Sequence, residues 1–131
     1  MPDRPLLIMR FGPWSAEAGR KTATKQYNKD VDKNRPGRYG ISAFGDYVEE
    51  GETMDDVLLR VCRAVPVTGP VAVVPASELE SSGFRVEPDM PPDKHYLIGQ
   101  GDFSQMPDVE SLELIWAKNK AKNPAYAGRR R

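Results

Sequence analysis

Proline is the residue type that most constrains the fold of this chain, because it occupies twelve of the 131 positions. The average usage is only about 5%. Proline lacks a backbone N–H and ends helices and interior strands, so we expect short elements joined by many loops. The length is typical of one domain, which should bury roughly two-thirds of its unfolded surface. A hydrophobic core is therefore expected to form without disulfides.

The apolar runs predict a single α+β domain. Short strands are expected at residues 6–11, 39–44, 71–74, 84–86 and 95–98. Two main helices are expected at about residues 53–65 and 107–120. Strands interspersed with few helices favour a mixed β-sheet of about four to five strands. We assign this domain to residues 1–122 and expect residues 123–131 to form a basic, mobile tail.

The helix over residues 53–65 carries the clearest local signals. Thr53 and Asp56 match a capping box. The apolar face is formed by Met54, Leu58, Val61, Cys62 and Val65. Cys62 is the only cysteine, so no intrachain disulfide can form, and its place on this face predicts a buried, unreactive thiol.

Residues 15–38 give the weakest structural signal. Ser15 could open a helix, but Gly19, Thr22 and Thr24 lower its helix propensity, and the apolar stripe is thin. We therefore predict a basic loop with a frayed helical piece.

Charge is distributed unevenly, although nineteen Lys/Arg and nineteen Asp/Glu cancel overall. Residues 1–40 carry nine cationic and four acidic side chains, residues 41–116 four and fifteen, and residues 117–131 six and none. The formal charges of the three segments are therefore +5, −11 and +6. This asymmetry suggests charged partner surfaces. The basic ends could hold an anionic partner, or they could fold back onto the acidic middle.

The leading hypothesis from this pattern is a small macromolecule-binding module that contacts nucleic acid through its basic ends. Cations with interleaved aromatic side chains can hold phosphates and stack a base. The candidate contacts are Lys21, Lys25, Tyr27, Lys29, Lys118, Lys120, Lys122, Tyr126 and Arg129. An accessory component of a bacterial complex or a toxin–antitoxin-like component would suit this size. Against it, no RNA- or DNA-binding motif is present, and the pI is only about 6.6.

An alternative hypothesis is an enzyme built on His95, the only histidine. Histidine has an ordinary pKa that suits proton transfer near neutral pH. We therefore consider a compact transferase or a metal-independent ribonuclease in which His95 is general acid or base, and Arg10, Arg38 or Lys94 steadies an anionic transition state. The simpler interpretation is a strand-edge histidine bonded to a neighbouring carbonyl.

Residues 38–42 could hold a phosphate or nucleotide, since a basic loop leads there into a strand. Alternation along a regular strand places Tyr39 and Ser42 on opposite faces, which argues against one site containing both. A Ser-His-Asp triad is compatible with the composition, but no G-x-S-x-G turn marks a nucleophile.

A third hypothesis is a protein-interaction partner that engages a basic surface through the acidic middle segment. Its carboxylates are Asp46, Glu49, Glu50, Glu52, Asp55 and Asp56. A metal role for them is disfavoured, because capping and helix-dipole effects already explain Asp55 and Asp56. No phosphate-loop, dinucleotide or zinc motif is present, so we expect no cofactor and no metal. No apolar run approaches about 18 residues, and a cytoplasmic protein without a membrane role is expected.

Overall fold

The computed structural model describes residues 4–12, 14–65, 69–90 and 92–124. Within these residues the chain forms six strands and four helices, which confirms the expected α+β class. In chain order they are β1 (Leu6–Phe11), α1 (Ala16–Asp32), β2 (Ile41–Tyr47), α2 (Met54–Ala64), β3 (Val71–Pro75), α3 (Ala76–Ser81), β4 (Arg85–Pro88), β5 (His95–Gly99), α4 (Val109–Lys118) and β6 (Lys120–Ala121). No helix in this described part is long and apolar enough to cross a membrane.

The strands form one sheet in the order β4-β5-β2-β1-β3-β6. All of its neighbouring pairs are antiparallel, whereas we expected a mixed sheet. Whether two neighbouring strands run parallel or antiparallel depends on the path of the chain between them. Local sequence patterns do not determine that path. The sheet also exceeds the expected four to five strands, because residues 120–121 pair with β3 after α4 ends.

Strand β1 lies inside the sheet, and its side chains alternate between two hydrophobic cores. Ile8 belongs to a core that the sheet forms with α1, α3 and α4. Leu7, Met9 and Phe11 belong to a second core that the sheet forms with α2. Helices therefore cover both faces of the sheet, giving three layers.

Helices α2 and α4 lie where capping and apolar spacing predicted them. Thr53 caps α2 and forms the expected capping box with Asp56. Met54, expected on the apolar face, is 48% exposed, and Val57 is buried in its place. Helix α4 is shorter than expected, because the chain leaves the helix after Lys118 and forms β6.

The prediction for residues 15–38 was wrong, since most of this segment forms α1, a helix of 17 residues. Ser15 caps α1 by accepting a hydrogen bond from the Ala18 N–H. Gly19, which lowers the local helix propensity, lets α1 approach α4 closely, because a Cβ there would lie 3.3 Å from Val109. Tertiary contacts thus override a weak local preference.

Candidate functional site

The histidine of the chain lies beside a serine on the neighbouring strand. His95 pairs with Phe44 of β2, while Ser42 pairs with Leu97 of β5. Ser42 and His95 are therefore diagonal neighbours on one face of the sheet. Ser42 Oγ lies 2.6 Å from His95 Nε2, and the imidazole makes an edge contact with the Phe44 ring, with centroids 5.4 Å apart. This pair is the centre of the candidate site.

The second ring nitrogen of His95 sets the direction of these hydrogen bonds. Nδ1 lies 2.9 Å from the main-chain oxygen of Asp89 and 3.3 Å from its carboxylate. A carbonyl oxygen can only accept, so Nδ1 carries the proton and donates it. In the neutral imidazole, Nε2 then has a lone pair, to which the Ser42 hydroxyl donates. This arrangement allows a histidine to remove a proton from a serine hydroxyl.

An ion-pair network holds Asp89 in position. Arg38 Nη1 lies 3.0 Å from the Asp89 carboxylate, and Arg38 Nε and Nη2 donate to both carboxylate oxygens of Asp30. The Asp30 side chain is only 1% exposed. Burial acts to raise the pKa of Asp30, but hydrogen bonds from Arg38 and Gln26 hold it below its ordinary value. Arg38, predicted as a catalytic residue, thus lies behind His95 and connects α1 to Asp89.

Arg10, also predicted as a catalytic residue, reaches the same site from β1. The pairing of β1 with β2 ends at Met9 and Phe44. Beyond that point Arg10 Nη1 donates to the main-chain oxygen of Ser42, 2.7 Å away, and Nη2 lies 3.4 Å from Thr22 Oγ1. Burial lowers the pKa of the Arg10 guanidinium. Both partners are neutral oxygens. Arg10 is therefore a partly buried cation beside Ser42 that forms no ion pair with a carboxylate of the described residues.

Ser42 borders two cavities, which together we call the Ser42 cleft. The first has a volume of about 180 Å³ and is lined by Thr22, Lys25, Gln26, Lys29, Ser42 and His95. The second has a volume of about 230 Å³, and its lining includes Arg10, Phe11, Ser42 and Phe44. The cleft therefore brings the Ser42–His95 pair together with cationic side chains from α1 and β1.

Two of the lysines predicted to bind nucleic acid line this cleft. Lys25 and Lys29 are exposed and form no ion pair with any residue that the structure describes. Lys21 lies outside the cleft lining and 3.9 Å from an acid one turn earlier in α1. Tyr27 stacks on Tyr39 with ring centroids 4.4 Å apart, so one face of its ring is covered. Of the predicted N-terminal contacts, Lys25 and Lys29 are therefore the two that line the cleft.

The predicted C-terminal contacts lie elsewhere on the molecule. Lys118 ends α4, 4.0 Å from an acid of α3. Lys120 lies in β6, which β1 and β3 separate from β2, and Lys122 follows as an exposed residue. Tyr126 and Arg129 lie outside the described residues. The two basic regions therefore do not form one continuous site in the part of the chain that is described.

The acidic middle segment is partly neutralised within the chain. Arg4 lies 2.6 Å from Glu49, so the basic N-terminal segment folds back onto acids at this point. Arg60 of α2 binds both Asp46 and Glu52, and hydrogen bonds with these carboxylates raise its pKa. These contacts weaken the case for the acidic segment as a docking surface for a basic partner.

His95 is recognisable in the sequence as a candidate because it is the only histidine, but its partners are not recognisable there. Ser42 and His95 are 53 residues apart, and only the pairing of β2 with β5 brings them together. The expected alternation is confirmed, because Tyr39 packs against the core while Ser42 lines the cleft. For Asp89, the one available signal is its place in the proline-rich loop before β5.

Other kinds of site find little support. Burial raises the pKa of the Cys62 thiol to about 11, so this thiol stays protonated near neutral pH. Among the described residues, no group of three or more His, Cys, Asp or Glu side chains could hold a metal ion.

Comparisons of the chain with protein-family models, with curated proteins and with solved structures found no match. The function has therefore to be inferred from the side chains themselves. Those at the Ser42 cleft combine unmatched positive charge with a serine–histidine pair.

Proposed function

We propose that the protein binds single-stranded nucleic acid and places a backbone phosphate in the Ser42 cleft. The observation that carries this proposal is that Arg10, Lys25 and Lys29 line two cavities that share Ser42, and that none of the three pairs with a carboxylate among the described residues. A phosphate supplies the missing counter-charge, and its binding releases counterions from the nucleic acid. Cations already paired within the protein gain less from such a ligand.

The surface next to the cleft extends this cationic path along α1. A shallow depression of about 430 Å³ is lined by Arg20, Lys21, Thr24, Lys25 and Asn28. Lys25 therefore borders both the depression and the cleft. Arg20 and Lys21 pair with exposed acids, and such surface pairs contribute at most about 1 kcal/mol. Phosphates can replace these acids at little cost to the fold.

The size of the cleft favours a single strand over a duplex. Its cavities, of about 180 and 230 Å³, are each smaller than the roughly 300 Å³ of a small ligand pocket. This space is of the size of one sugar–phosphate unit and is too small to enclose a double helix. Phe44 lines the wall of the cleft and offers an apolar contact to an unpaired base.

Fluorescence anisotropy with a short labelled oligouridylate tests this proposal over a range of salt concentrations. Replacing both lysines, as Lys25→Gln with Lys29→Gln, removes two phosphate contacts. The slope of log K against log salt should then decrease in magnitude by about 1.4, since each contact with a single strand contributes about 0.7.

The matched control replaces two exposed lysines at the other end of the sheet, as Lys118→Gln with Lys120→Gln. We expect this variant to keep the wild-type slope. Wild-type protein that shows no salt-dependent binding would refute the proposal, as would equal losses in the two double variants.

A further inference from the structure

We further propose that Ser42 is a nucleophile, with His95 as its general base, in the cleavage of a phosphodiester held in the Ser42 cleft. The identity of the substrate rests on the proposed function. The nucleophile rests on a separate observation, the 2.6 Å contact between Ser42 Oγ and His95 Nε2.

The protonation pattern of His95 suits this role. Its Nδ1–H is held by the main-chain oxygen and the carboxylate of Asp89, so Nε2 faces Ser42 with its lone pair. Asp89 is a positioning residue here, because it fixes the ring and its tautomer without touching a substrate. Both Ser42 and His95 line the same cavity of the cleft, so a substrate bound there lies next to the pair.

The charges around Ser42 favour a phosphoryl centre over a neutral ester. Arg10 is anchored on the Ser42 main-chain oxygen, and Lys29 borders the cavity that contains His95. These cations would stabilise the negative charge on the non-bridging phosphoryl oxygens as the bond to Ser42 forms. A neutral carboxylic ester would leave the positive charge unmatched before reaction.

The reaction needs only the protein, the phosphodiester and water. The Ser42 hydroxyl proton passes to His95 Nε2 as Oγ bonds to phosphorus. The bond from phosphorus to the leaving oxygen breaks, and that oxygen takes the proton from His95. Water then attacks the serine phosphodiester, again giving its proton to His95, and Ser42 Oγ leaves and regains a proton. The net change is hydrolysis of one phosphodiester bond, with no oxidant or reductant consumed.

A purely structural role for the pair makes a different prediction. If the hydrogen bond only joins β2 to β5, Ser42 should be no more reactive than another hydrogen-bonded serine. Ser104 provides this comparison, because it is exposed and its hydroxyl is bonded to Asp102.

Reaction with diisopropyl fluorophosphate, followed by peptide mapping, tests the nucleophile directly and needs no nucleic acid. We expect selective phosphorylation of Ser42 over Ser104, with fluoride as the leaving group. Labelling should fall at least about 100-fold in His95→Gln, the scale of general-base catalysis. Circular dichroism confirms that the variant is folded, and the ratio of Ser42 to Ser104 labelling in the wild-type protein is a second readout that does not rely on the variant.

Hydrolysis of bis(4-nitrophenyl) phosphate in the presence of a chelator tests turnover. Ser42→Ala should abolish it and Ser104→Ala should leave it unchanged. Absence of turnover, or labelling of Ser42 no faster than of Ser104, would overturn the catalytic proposal. Oligouridylate binding by Ser42→Ala separates the two proposals, because binding that survives without labelling or turnover leaves the proposed function standing.

Discussion

Arg38 binds Asp30 through three donors, with Nε at 2.9 Å, Nη2 at 3.0 Å and its main-chain N–H at 3.1 Å from the carboxylate oxygens. The two residues join the last turn of α1 to the segment that enters β2. Since Arg38 also binds Asp89, one guanidinium supports both the packing of α1 and the position of His95.

Removing Arg38 should therefore destabilise the fold strongly. Arg38→Leu leaves the buried Asp30 carboxylate without its main partner. Removing one partner of a buried ion pair lowers the free energy of unfolding by about 3–5 kcal/mol. The free energy of unfolding in urea, extrapolated to water, measures this loss.

Arg35→Leu is the matched control for that measurement. Arg35 also faces Asp30, but at 3.9 Å and with 54% of its side chain exposed, so its removal should cost less than about 1 kcal/mol. Comparable losses in the two variants would show that Asp30 does not depend on Arg38 in particular.

The pKa of the Asp30 carboxyl group predicts how the free energy of unfolding depends on pH. The pKa of Asp30 in the folded protein lies below its ordinary value of 3.8. At pH values between these two pKa values, the unfolded chain therefore binds more protons than the folded protein. The stabilisation from Asp30 is present above 3.8 and is lost as the pH falls through the lower, folded value.

Urea denaturation of Asp30→Asn and the wild-type protein as a function of pH tests this prediction. The difference in unfolding free energy should be largest near neutral pH and should narrow as the pH falls below 3.8. Asp32→Asn, at an exposed position of the same helix, should follow the wild-type curve. A difference that stays constant with pH would contradict the assignment of Asp30 as an ionised partner.

The elements that could be predicted from sequence are those whose causes are local. Helix α2 begins with a capping box of Thr53 and Asp56, which lie within one turn, and its apolar spacing is complete in eleven residues. Helix α1 was mispredicted because contacts with residues outside the helix support it, namely the Asp30–Arg38 ion pair and the close approach of Gly19 to α4.

The candidate site shows the same division. His95 stands out as the lone histidine, and alternation correctly separates Ser42 from Tyr39. The pairing of Ser42 with His95 depends on the register of β2 against β5, and no local pattern in a single sequence specifies that register. Arg10 likewise reaches Ser42 only because the pairing of β1 with β2 stops early.

The contact between Gly19 and Val109 predicts an energetic coupling. Alanine is more favourable than glycine in a helix interior by about 1 kcal/mol, but a Cβ on residue 19 would lie 3.3 Å from both Cβ and Cγ1 of Val109. Valine is stiff at χ1, so it cannot move away easily. Gly19→Ala alone should therefore stabilise the protein by less than the helix preference indicates.

A double-mutant cycle with Val109→Ala measures this coupling. In the Val109→Ala background the added methyl group has space, and the benefit of Gly19→Ala should increase, giving an interaction free energy of at least about 0.5 kcal/mol. Additive effects would mean that α1 and α4 are not held at this distance by Gly19.

Replacing Arg10 should weaken nucleic-acid binding while leaving the stability of the fold nearly unchanged. Its charge has no carboxylate partner among the described residues, and burial already lowers its pKa, so the charge itself contributes little to the fold. Arg10→Gln can keep one hydrogen bond to the Ser42 main-chain oxygen while removing the charge. We expect the unfolding free energy to change by less than about 1 kcal/mol, the net value of a typical hydrogen bond. Affinity for oligouridylate should fall, and the slope of log K against log salt should decrease in magnitude by about 0.7, the contribution of one phosphate contact.

Urea denaturation and fluorescence anisotropy on the same preparation of Arg10→Gln measure both quantities. Loss of stability with unchanged binding would make Arg10 a structural link between β1 and β2 and would remove it from the phosphate site.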